Sequence, residues 1–477
     1  MRHIVWLRQE LRTADNPALY TASQGGHEVA PVFVWPGGDA MPGAASRWWL
    51  HGSLLALSTS LEKLGSRLVI LTGEAARVLP ELARDWKADA VFWSRVYDPE
   101  GRAEEDAVEQ ALRQQGTECR IYAGANHLLN PADVWNKSGG PFKVFTPFYK
   151  HASTLFVDKP LPCPKTLVKP KTPLKSTPLA GLGLEPEIDW ADGLRNAWCP
   201  GEAAAAARLD AFIGEDLKDY GVERDIPGHD GTSKLSPHLH FGQLSPRSVY
   251  YAIRGQCDTS KDKALYNEAE VFLRQLYWRE FAHHLLHHFP HMVDKPMYPE
   301  YEKFPWRKDK AQLRTWQRGR TGYPIVDAGM RELWTTGWMH NRVRMIAGSF
   351  LVKDLLLPWQ SGAAWFWDTL VDADKANNTL GWQWVGGCGP DAAPYFRIFN
   401  PVLQSKRFDP KGLYIKHWVP ELARLQGNAL HAPWTASPEE LRAAGVTLGN
   451  EYPQPMVDHG GARERALMAY NGMKSVK

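Results

Sequence analysis

The stretch PWQSGAAWFWDTLVDADKANNTLGWQW, residues 358–384, mixes tryptophan and phenylalanine with aspartate and asparagine. A pocket that stacks a large flat ring and hydrogen-bonds its polar edge needs this mixture. Because an unpaired buried carboxylate is costly, Asp372 needs a cation, and Arg342 and Arg344 in WMHNRVRM are candidates. The stretch therefore predicts a ligand pocket in the C-terminal half; an ordinary core with a satisfied aspartate is the alternative.

Length and composition limit the classes of protein to which this chain can belong. A chain of 477 residues is long enough for two or three domains, or for one α/β domain joined to a large helical one. The formal net charge of +3 is too small to indicate nucleic-acid binding by itself. Five cysteines without C-x-x-C spacing predict no zinc or iron–sulfur site and fit a reducing compartment. With no signal-peptide pattern and no membrane-length apolar run, the sequence predicts a cytoplasmic protein without metal or membrane contact.

Residues 1–130 alternate short β-rich runs with helical patterns. Strands are predicted at 4–7, 29–35, 68–71, 90–93 and 119–122, and helices at 47–64, 75–85 and 104–115. This alternation predicts a parallel, doubly wound sheet, which is a Rossmann-like α/β domain. No nucleotide-binding glycine motif follows the first strand. A ligand near residues 35–46 and 97–104, at the carboxyl ends of the strands, and a scaffold without ligand are both open.

The rest of the chain divides into an irregular part and a helical part. Residues 131–200 are rich in proline and predict an extended connector. Helical patterns follow at 203–217, 263–289, 312–318, 325–336, 339–356, 363–370 and 462–477. The predicted organisation is an α/β domain over 1–130, a connector over 131–200 and an all-α domain over 201–477.

Three further segments carry candidate chemistry. Hydroxyls at Thr232, Ser233 and Ser236 precede a predicted helix and suit a phosphate, or equally an N-cap. In residues 272–290, Gln275, Trp278, Arg279 and His283 share one helix face, and we interpret the histidines as surface or satisfied core groups. In residues 301–320, basic residues interleave with Trp306 and Trp316, as on a surface that tracks phosphates and stacks bases. A solvated helix face is the alternative; further basic residues at Arg342, Lys406, Arg407 and Lys411 favour nucleic acid.

These segments resemble the photolyase/cryptochrome family over essentially the whole chain. The matching motifs are VWLRQELRTADNPAL (5–19), VFTPF (144–148), DGTSKLSPHLHFG (230–242), WREF (278–281), TGYPIVDAGMREL (321–333), GWMHNRVRM (337–345), VDADKANNTLGWQW (371–384) and DAAPYFRIFNP (391–401). The resemblance implies an N-terminal α/β domain, a long connector and a helical domain that holds FAD in a U-shape.

The resemblance also implies the residues that contact FAD. They are Tyr220, Thr232, Ser233, Lys234, Leu235, Ser236, Gln275, Arg279, Asn341, Arg344, Asp372, Asp374 and Asn378. Arg344 and Asp372 resemble an ion pair beside the isoalloxazine ring, and Asp374 resembles a carboxylate at its polar edge. Asn378 resembles the side chain that faces flavin N5, where a neutral amide suits a reduced anionic flavin. Plant cryptochromes have aspartate there, so Asn378 favours repair over signalling.

Three tryptophans, Trp382, Trp359 and Trp306, resemble a relay that carries an electron from the surface to the flavin. Without the resemblance, the alternative is that these rings only pack. With Asn378 and Gln275, they form the predicted set of residues that take part in the reaction.

The substrate class also follows from the resemblance. Enzymes for the (6-4) photoproduct have histidine at the positions of Asn341 and Met345, so this sequence resembles the cyclobutane pyrimidine dimer (CPD) class. The implied DNA and lesion contacts are Arg224, Gln275, Trp278, Asn341, Arg342, Met345, Trp384 and Gln404. One departure is Gln275, where such photolyases commonly have glutamate; an amide donates a hydrogen bond but no proton, so we expect weaker repair.

The sequence therefore predicts a monomeric, light-dependent deoxyribodipyrimidine photolyase that acts on UV-damaged DNA with FAD. An antenna chromophore is expected in the α/β domain, with 5,10-methenyltetrahydrofolate favoured over a deazaflavin. The alternative is a cryptochrome-type photoreceptor with FAD and the tryptophan relay but little or no repair. A flavin oxidoreductase needs a nicotinamide site, for which the sequence has no motif.

Overall fold

The computed structural model describes residues 1–37, 42–392 and 397–475. These residues form two compact units that interleave along the chain. The first comprises the described parts of Met1–Lys218, Ser233–Pro290 and Val371–Ala376, and the second comprises Asp219–Thr232, His291–Leu370 and the described residues from Asn377 on. The boundaries predicted at residues 130 and 200 remain predictions.

The first unit contains a five-stranded, all-parallel sheet. Its strands are β1 (Arg2–Leu7), β2 (Glu28–Trp35), β3 (Val69–Thr72), β4 (Ala90–Ser94) and β5 (Glu118–Tyr122). Their order across the sheet is β3-β2-β1-β4-β5. This order confirms the predicted doubly wound α/β fold, whose strand order reverses between β1 and β4.

The central strand shows why both faces of the sheet must be covered. Ile4 and Trp6 belong to one buried cluster, while Val5 and Leu7 belong to another. Because successive side chains in a strand point to opposite faces, the continuous apolar run fills two cores. Parallel sheets buried on both faces need such runs instead of alternating polar and apolar residues.

The helices of the described ranges are mostly in the second half of the chain. Those up to residue 290 are α1 (Pro17–Ser23), α2 (Ala44–Lys63), α3 (Ala75–Trp86), α4 (Pro99–Gln114), α5 (Phe145–Ala152), α6 (Asp192–Ala197), α7 (Glu202–Ala211), α8 (Tyr220–Glu223), α9 (Ser236–His240), α10 (Pro246–Ser260) and α11 (Lys263–His288). The later ones are α12 (Lys310–Gln317), α13 (Pro324–Thr336), α14 (Asn341–Ser349), α15 (Trp359–Thr369), α16 (Lys375–Gly386), α17 (Pro401–Phe408), α18 (Leu413–Trp418), α19 (Gly427–His431), α20 (Pro438–Ala444) and α21 (His459–Ser475). Among the described helices, none combines the length and apolarity that a membrane crossing requires.

The predicted helices are present, with shifted ends. The pattern at 203–217 is an α-helix only to Ala211, and a π-helical turn, Phe212–Asp216, follows it. The pattern at 339–356 likewise becomes π-helical at Phe350–Asp354. The helix predicted at 462–477 begins at His459, and its last two residues lie outside the described ranges.

The connector is less irregular than its proline content suggests. Phe145–Ala152 is a helix whose Phe145 and Phe148 rings pack against Phe281 of α11, at 5.8 and 5.2 Å between centroids. Tertiary packing therefore overrides the weak local pattern of a short helix that contains proline. The prediction of an extended connector is wrong for these residues.

A buried charge joins the loop after β1 to the start of α10. Asp15 is fully buried and lies 3.0 Å from Nη2 of Arg247, and its Oδ1 accepts a hydrogen bond from the Leu161 amide at 2.9 Å. The hydroxyl of Ser245 donates to the same carboxylate. The motif of residues 5–19 thus holds residues 245–247 in place.

The neighbouring glycine permits a close approach of two backbones. Gly242 has a φ of +59°, and a Cβ there would lie 1.9 Å from the carbonyl oxygen of Gln9. Arg12 donates from Nη1 to the Gly242 carbonyl at 2.8 Å. Only glycine fits this position, which anchors the segment that begins with α9.

The carboxyl group of Glu10, in the loop after β1, is buried. It is fully buried, and neither carboxyl oxygen has a hydrogen-bond partner of good geometry among the described residues. Burial raises the pKa of Glu10 to about 7, against the opposing charges of Arg12 and Arg8. Its folded-state pKa therefore lies above the ordinary value of 4.5.

The raised pKa of Glu10 makes stability depend on pH. The folded state binds more protons than the unfolded state between pH 4.5 and about 7, so the free energy of unfolding falls as pH rises through this window. The loss is up to about 3 kcal/mol, since each pKa unit corresponds to about 1.4 kcal/mol. We expect Glu10→Gln to melt higher than the wild type at pH 8 and close to it at pH 4.5. Thermal unfolding of the wild type and Glu10→Gln at both pH values measures the difference in melting temperature. The exposed Glu74→Gln is the control. A Glu10→Gln difference that is the same at pH 4.5 and pH 8 would contradict the prediction.

Candidate functional site

The predicted phosphate loop lies just before α9. Lys234 has a φ of +49°, a left-handed conformation that turns the chain sharply. Arg208, which sequence reasoning missed, donates from Nε to the Ser233 carbonyl at 2.9 Å and fixes the turn. Leu235 is buried, while Ser236 begins the helix and donates from Oγ to Asp372 Oδ2 at 2.6 Å. The first unit therefore brings Ser233–Ser236 together with Asp372, as the prediction requires.

Asp374 is a second carboxylate in the first unit. Its Oδ2 lies 3.4 Å from Nε2 of His283 and 3.6 Å from Nδ1 of His240. Burial raises the pKa of Asp374, but the charges and hydrogen bonds of His283 and His240 outweigh burial and hold it well below its usual range. The carboxylate is thus ionised and oriented at neutral pH. His283 is buried, and its Nε2 faces Asp374 without a hydrogen bond of good geometry; His240 is an unpredicted neighbour of the same carboxylate.

His283 also belongs to a larger buried cluster. The His283 ring lies edge-on to His127, at 4.7 Å between centroids. His127 Nδ1 lies 3.5 Å from Glu280, and burial lowers the pKa of His127 to about 4. Burial raises the pKa of Glu280, but the His127 and Arg279 charges bring it below its ordinary value. His127, Glu280 and Arg279 thus form a connected set of titratable side chains next to His283 and Asp374.

The other predicted residues of α11 are held by short contacts. Trp278 stacks on Phe145 with 3.6 Å between centroids and 9° between planes. Gln275 Nε2 donates to the Val271 carbonyl at 3.1 Å, and Arg279 Nη1 donates to the Asn126 carbonyl at 2.8 Å. The flat ring of Trp278 is therefore fixed in orientation, which suits a wall of a lesion pocket. Phe145 beneath it was not predicted.

In the second unit, the two candidate cations of α14 have different partners. Arg342 Nη2 lies 2.7 Å from Asp225 Oδ1, and its guanidinium lies 4.3 Å from the Phe408 ring centroid. Arg342 is therefore paired with Asp225 and is not the described partner of Asp372. Arg344 donates from Nε to the Met339 carbonyl at 2.7 Å. Its ion pair with Asp372 remains a prediction.

The remaining predicted contacts of the second unit vary in exposure. Tyr220 is 6% exposed, and the guanidinium of Arg224 lies 5.4 Å from its ring centroid. Asn341, at the start of α14, is exposed, and the Sδ of Met345 lies 4.0 Å from Arg342 Nη1. Thr232, Trp384 and Gln404 are half-buried, as are Arg224 and Met345.

The hydrogen bonding of the Asn378 amide indicates whether the predicted site suits a reduced flavin. Its Nδ2 donates to the Ala363 carbonyl at 3.0 Å, which fixes the amide. The side-chain oxygen is then the acceptor left for a ligand, and an amide oxygen accepts an N–H without adding charge. This neutral acceptor, together with the two carboxylates Asp372 and Asp374 a few residues before it in sequence, is a set that fits FAD. Among the described residues, no cluster of three metal-binding side chains occurs.

The three predicted relay tryptophans all lie in the second unit. Trp382 and Trp359 are buried, at 3% and 2% exposure, whereas Trp306 is half-buried and packs on Phe304 at 4.4 Å between centroids. A Cβ at Gly362 of α15 would lie 2.1 Å from the Trp382 ring, so glycine is required there. The relay itself remains a prediction.

Family models cover most of the chain. The model described as the FAD binding domain of DNA photolyase matches residues 272–472. The DNA photolyase model matches residues 3–165. The two matches correspond to the helical and α/β parts of the chain.

Individual relatives match over almost the full length. A deoxyribodipyrimidine photo-lyase of Agrobacterium fabrum is 47% identical, with 99% of this chain and 98% of the relative covered. Cryptochrome-2 of Arabidopsis thaliana is 40% identical over 97% of this chain and 77% of the relative. The crystal structure of a bacterial class III photolyase from Agrobacterium tumefaciens superposes with a TM-score of 0.96, at 47% identity and with 99% and 98% of the chains covered. On sequence and fold alike, this chain belongs to the DNA photolyase/cryptochrome family.

Proposed function

We propose that this protein is a light-dependent deoxyribodipyrimidine photolyase that repairs cyclobutane pyrimidine dimers in DNA. The observation that carries the proposal is Asn378, whose amide is fixed by Ala363 so that a neutral oxygen remains to accept a hydrogen bond. An aspartate there would place a charge beside a reduced flavin. The 47% identity to a photo-lyase supports repair further.

FAD, when bound in its reduced form, supplies on absorption of blue light the electron that the dimer receives and later returns. The two carbon–carbon bonds of the cyclobutane ring break in between, so the reaction has no net redox change. The protein's part is to bind, orient and exclude water. Ser236 would hold the polar chain of the cofactor, and Asp372, which accepts the Ser236 hydroxyl, would lie beside the isoalloxazine ring. The ionised Asp374 would accept a hydrogen bond from the polar edge of the ring.

The lesion is bound by aromatic walls and polar contacts. Trp278, held flat against Phe145, and Trp384 flank the flipped dimer, and Arg224 and Arg342 bind the backbone. Flipping costs a few kcal/mol, and least where a dimer has already weakened pairing. Because Asn341 and Met345 offer no imidazole, the proton transfers that the (6-4) photoproduct needs have no base, which supports the CPD class.

Trp306, Trp359 and Trp382 serve as the electron relay that restores the reduced cofactor. The gradient from a half-buried to two buried indoles supports this role, because the outer ring can meet a soluble reductant. The protein acts as a cytoplasmic monomer with an antenna chromophore, 5,10-methenyltetrahydrofolate favoured over a deazaflavin, in the α/β part. A cryptochrome-type photoreceptor is the second candidate, favoured by Gln275 and by the 40% identity to a plant cryptochrome.

The first experiment measures repair directly. We expect the reduced holoprotein, under blue light, to restore the 260 nm absorbance of an oligothymidylate that contains cyclobutane dimers. The same mixture in the dark and a (6-4) photoproduct substrate under light serve as controls, and both should stay unchanged. Flavin photochemistry without recovery of thymine absorbance would instead indicate the photoreceptor.

Gln275 sets a second expectation. In Gln275→Glu, a carboxyl group replaces the amide and can donate a proton as well as a hydrogen bond to a dimer carbonyl. A hydrogen bond to the dimer carbonyl that is stronger by about 1 kcal/mol corresponds to about a fivefold gain. We expect the quantum yield of repair to rise by up to this factor, with flavin content unchanged. Glu268→Gln on the same helix is a control. Equal quantum yields in the wild type and Gln275→Glu would show that the amide at this position does not limit repair.

Asn378 gives a third expectation that does not depend on repair. Asn378→Asp places a negative charge beside the bound flavin, which disfavours the reduced anion. With repulsion of a few kcal/mol at an effective dielectric constant of about 20, the two-electron midpoint potential should fall by on the order of 50 mV. Asn377 is the exposed neighbour of Asn378. Asn377→Asp adds the same charge and should shift the midpoint potential far less. Equal shifts in both variants would show that Asn378 does not face the flavin.

A further inference from the structure

The basic stretch of residues 301–320 forms one wall of a surface groove in the second unit. Lys310, Arg314 and Arg318 follow one another at four-residue intervals along α12 and its C-terminal cap, and Arg320 lies just beyond. The groove has a volume of about 600 Å³, and residues 449–453 line its other side. Residues four apart on a helix share a face and are about 6 Å apart along its axis. The three helix residues therefore form a row of positive charges.

The four cations, defined here as the basic groove, are not neutralised by the protein. All four are exposed, and none forms an ion pair with any described residue. Asp309 precedes Lys310, and Glu451 belongs to the segment on the other side of the groove; both carboxylates have other hydrogen-bond partners. Asp309 caps α12 by accepting from the Gln312 amide at 2.9 Å, and Glu451 accepts from the Thr447 amide at 2.8 Å. A concave surface with four uncompensated positive charges attracts anions.

The two walls of the basic groove are fixed by one buried carboxylate. Asp327 of α13 accepts hydrogen bonds from the Thr321 amide at 2.6 Å and the Gly322 amide at 3.0 Å. On the other side, the hydroxyl of the fully buried Tyr452 donates to Asp327 at 2.6 Å. The backbone that carries Arg320 and the backbone of residues 449–453 are thus joined through Asp327. A groove held this way is formed before a ligand binds, which lowers the ordering cost of binding.

Trp316, one of the two tryptophans of this stretch, does not offer its face to bases. Trp316 is fully buried, and its Nε1 donates to the Ala347 carbonyl at 3.0 Å. Trp306 packs on Phe304. The expectation that this surface stacks bases is therefore wrong for Trp316. Binding through exposed cations alone selects the sugar–phosphate backbone and not the bases, which favours a duplex over an unstacked single strand.

We propose that the basic groove is a second DNA-binding surface, which holds the sugar–phosphate backbone of double-stranded DNA through Lys310, Arg314, Arg318 and Arg320 without reading sequence or lesion. The proposal rests on the proposed function only in that DNA is the partner. None of the four residues belongs to the predicted lesion or cofactor contacts. The surface raises affinity for undamaged DNA, along which the protein reaches its lesion.

The test uses the holoprotein in the dark with a lesion-free 20-base-pair duplex and fluorescence anisotropy at 50–200 mM KCl. The variant carries Lys310→Gln, Arg314→Gln, Arg318→Gln and Arg320→Gln. Each lost phosphate contact should reduce the slope of log affinity against log salt by about 1, so a reduction of up to about 4 is expected. Affinity at 50 mM KCl should fall at least about tenfold. Flavin content and the melting temperature should match the wild type, and Arg314→Gln alone should reduce the slope by about 1.

A matched control separates this surface from the loss of net charge. Lys165, Lys169, Lys171 and Lys175 are exposed residues of the first unit, and changing all four to glutamine removes the same charge. This control should keep the wild-type slope. An equal reduction in both variants, or no reduction in the groove variant, overturns the proposal. Saturable binding of tripolyphosphate that is lost only in the groove variant, with an unchanged DNA slope, would also overturn it and indicate a small-anion site. Because the duplex has no lesion, a wild type that fails to repair dimers but shows the expected slopes would leave this inference standing.

Discussion

The buried charge of Asp15 is the constraint on which the first unit depends. A carboxylate without access to water is tolerated only if it is paired and hydrogen-bonded, and removing one partner of such a pair typically costs about 3–5 kcal/mol. Asp15 meets this demand with Arg247, Ser245 and the Leu161 amide. These partners come from two other parts of the chain, residue 161 and residues 245–247, so Asp15 fixes how the loop after β1, the connector and the start of α10 meet. The loop that binds Asp372 lies a few residues before this anchor.

The fold class could be predicted because local and long-range signals agree. In β1 every residue from Ile4 to Leu7 is apolar, as a strand buried on both faces must be. The predicted strands match the observed ones to within two residues. The helix α5 could not be predicted, because its eight residues are stable only through the rings of α11. The π-helical turn that follows α7 likewise has no signal in a sequence rich in alanine.

The sequence predicts which residues belong to the candidate site better than it predicts which side chains they pair with. The family motifs name Asp372, Asp374 and Asn378, yet nothing local says which cation or hydroxyl each will meet. Arg342, one of the two cations considered for Asp372, illustrates the limit, because it pairs with Asp225, which is 117 residues away in sequence. His240 is a similar case: it lies in a recognised motif, but its role beside Asp374 follows only from the fold. Sequence patterns indicate what chemistry is present, whereas pairing depends on contacts that span the chain.

The close packing of Trp382 on Gly362 has a consequence for charge movement. The indole lies directly against the backbone of α15, where any side chain larger than hydrogen would overlap it. Phe366, at 4.9 Å, and Trp316, at 6.2 Å, enclose it further. The neighbours named here are aromatic rings and helix backbone, which turn little when the charge of the indole changes. In the proposed relay, this packing would keep the reorganisation energy of Trp382 oxidation small.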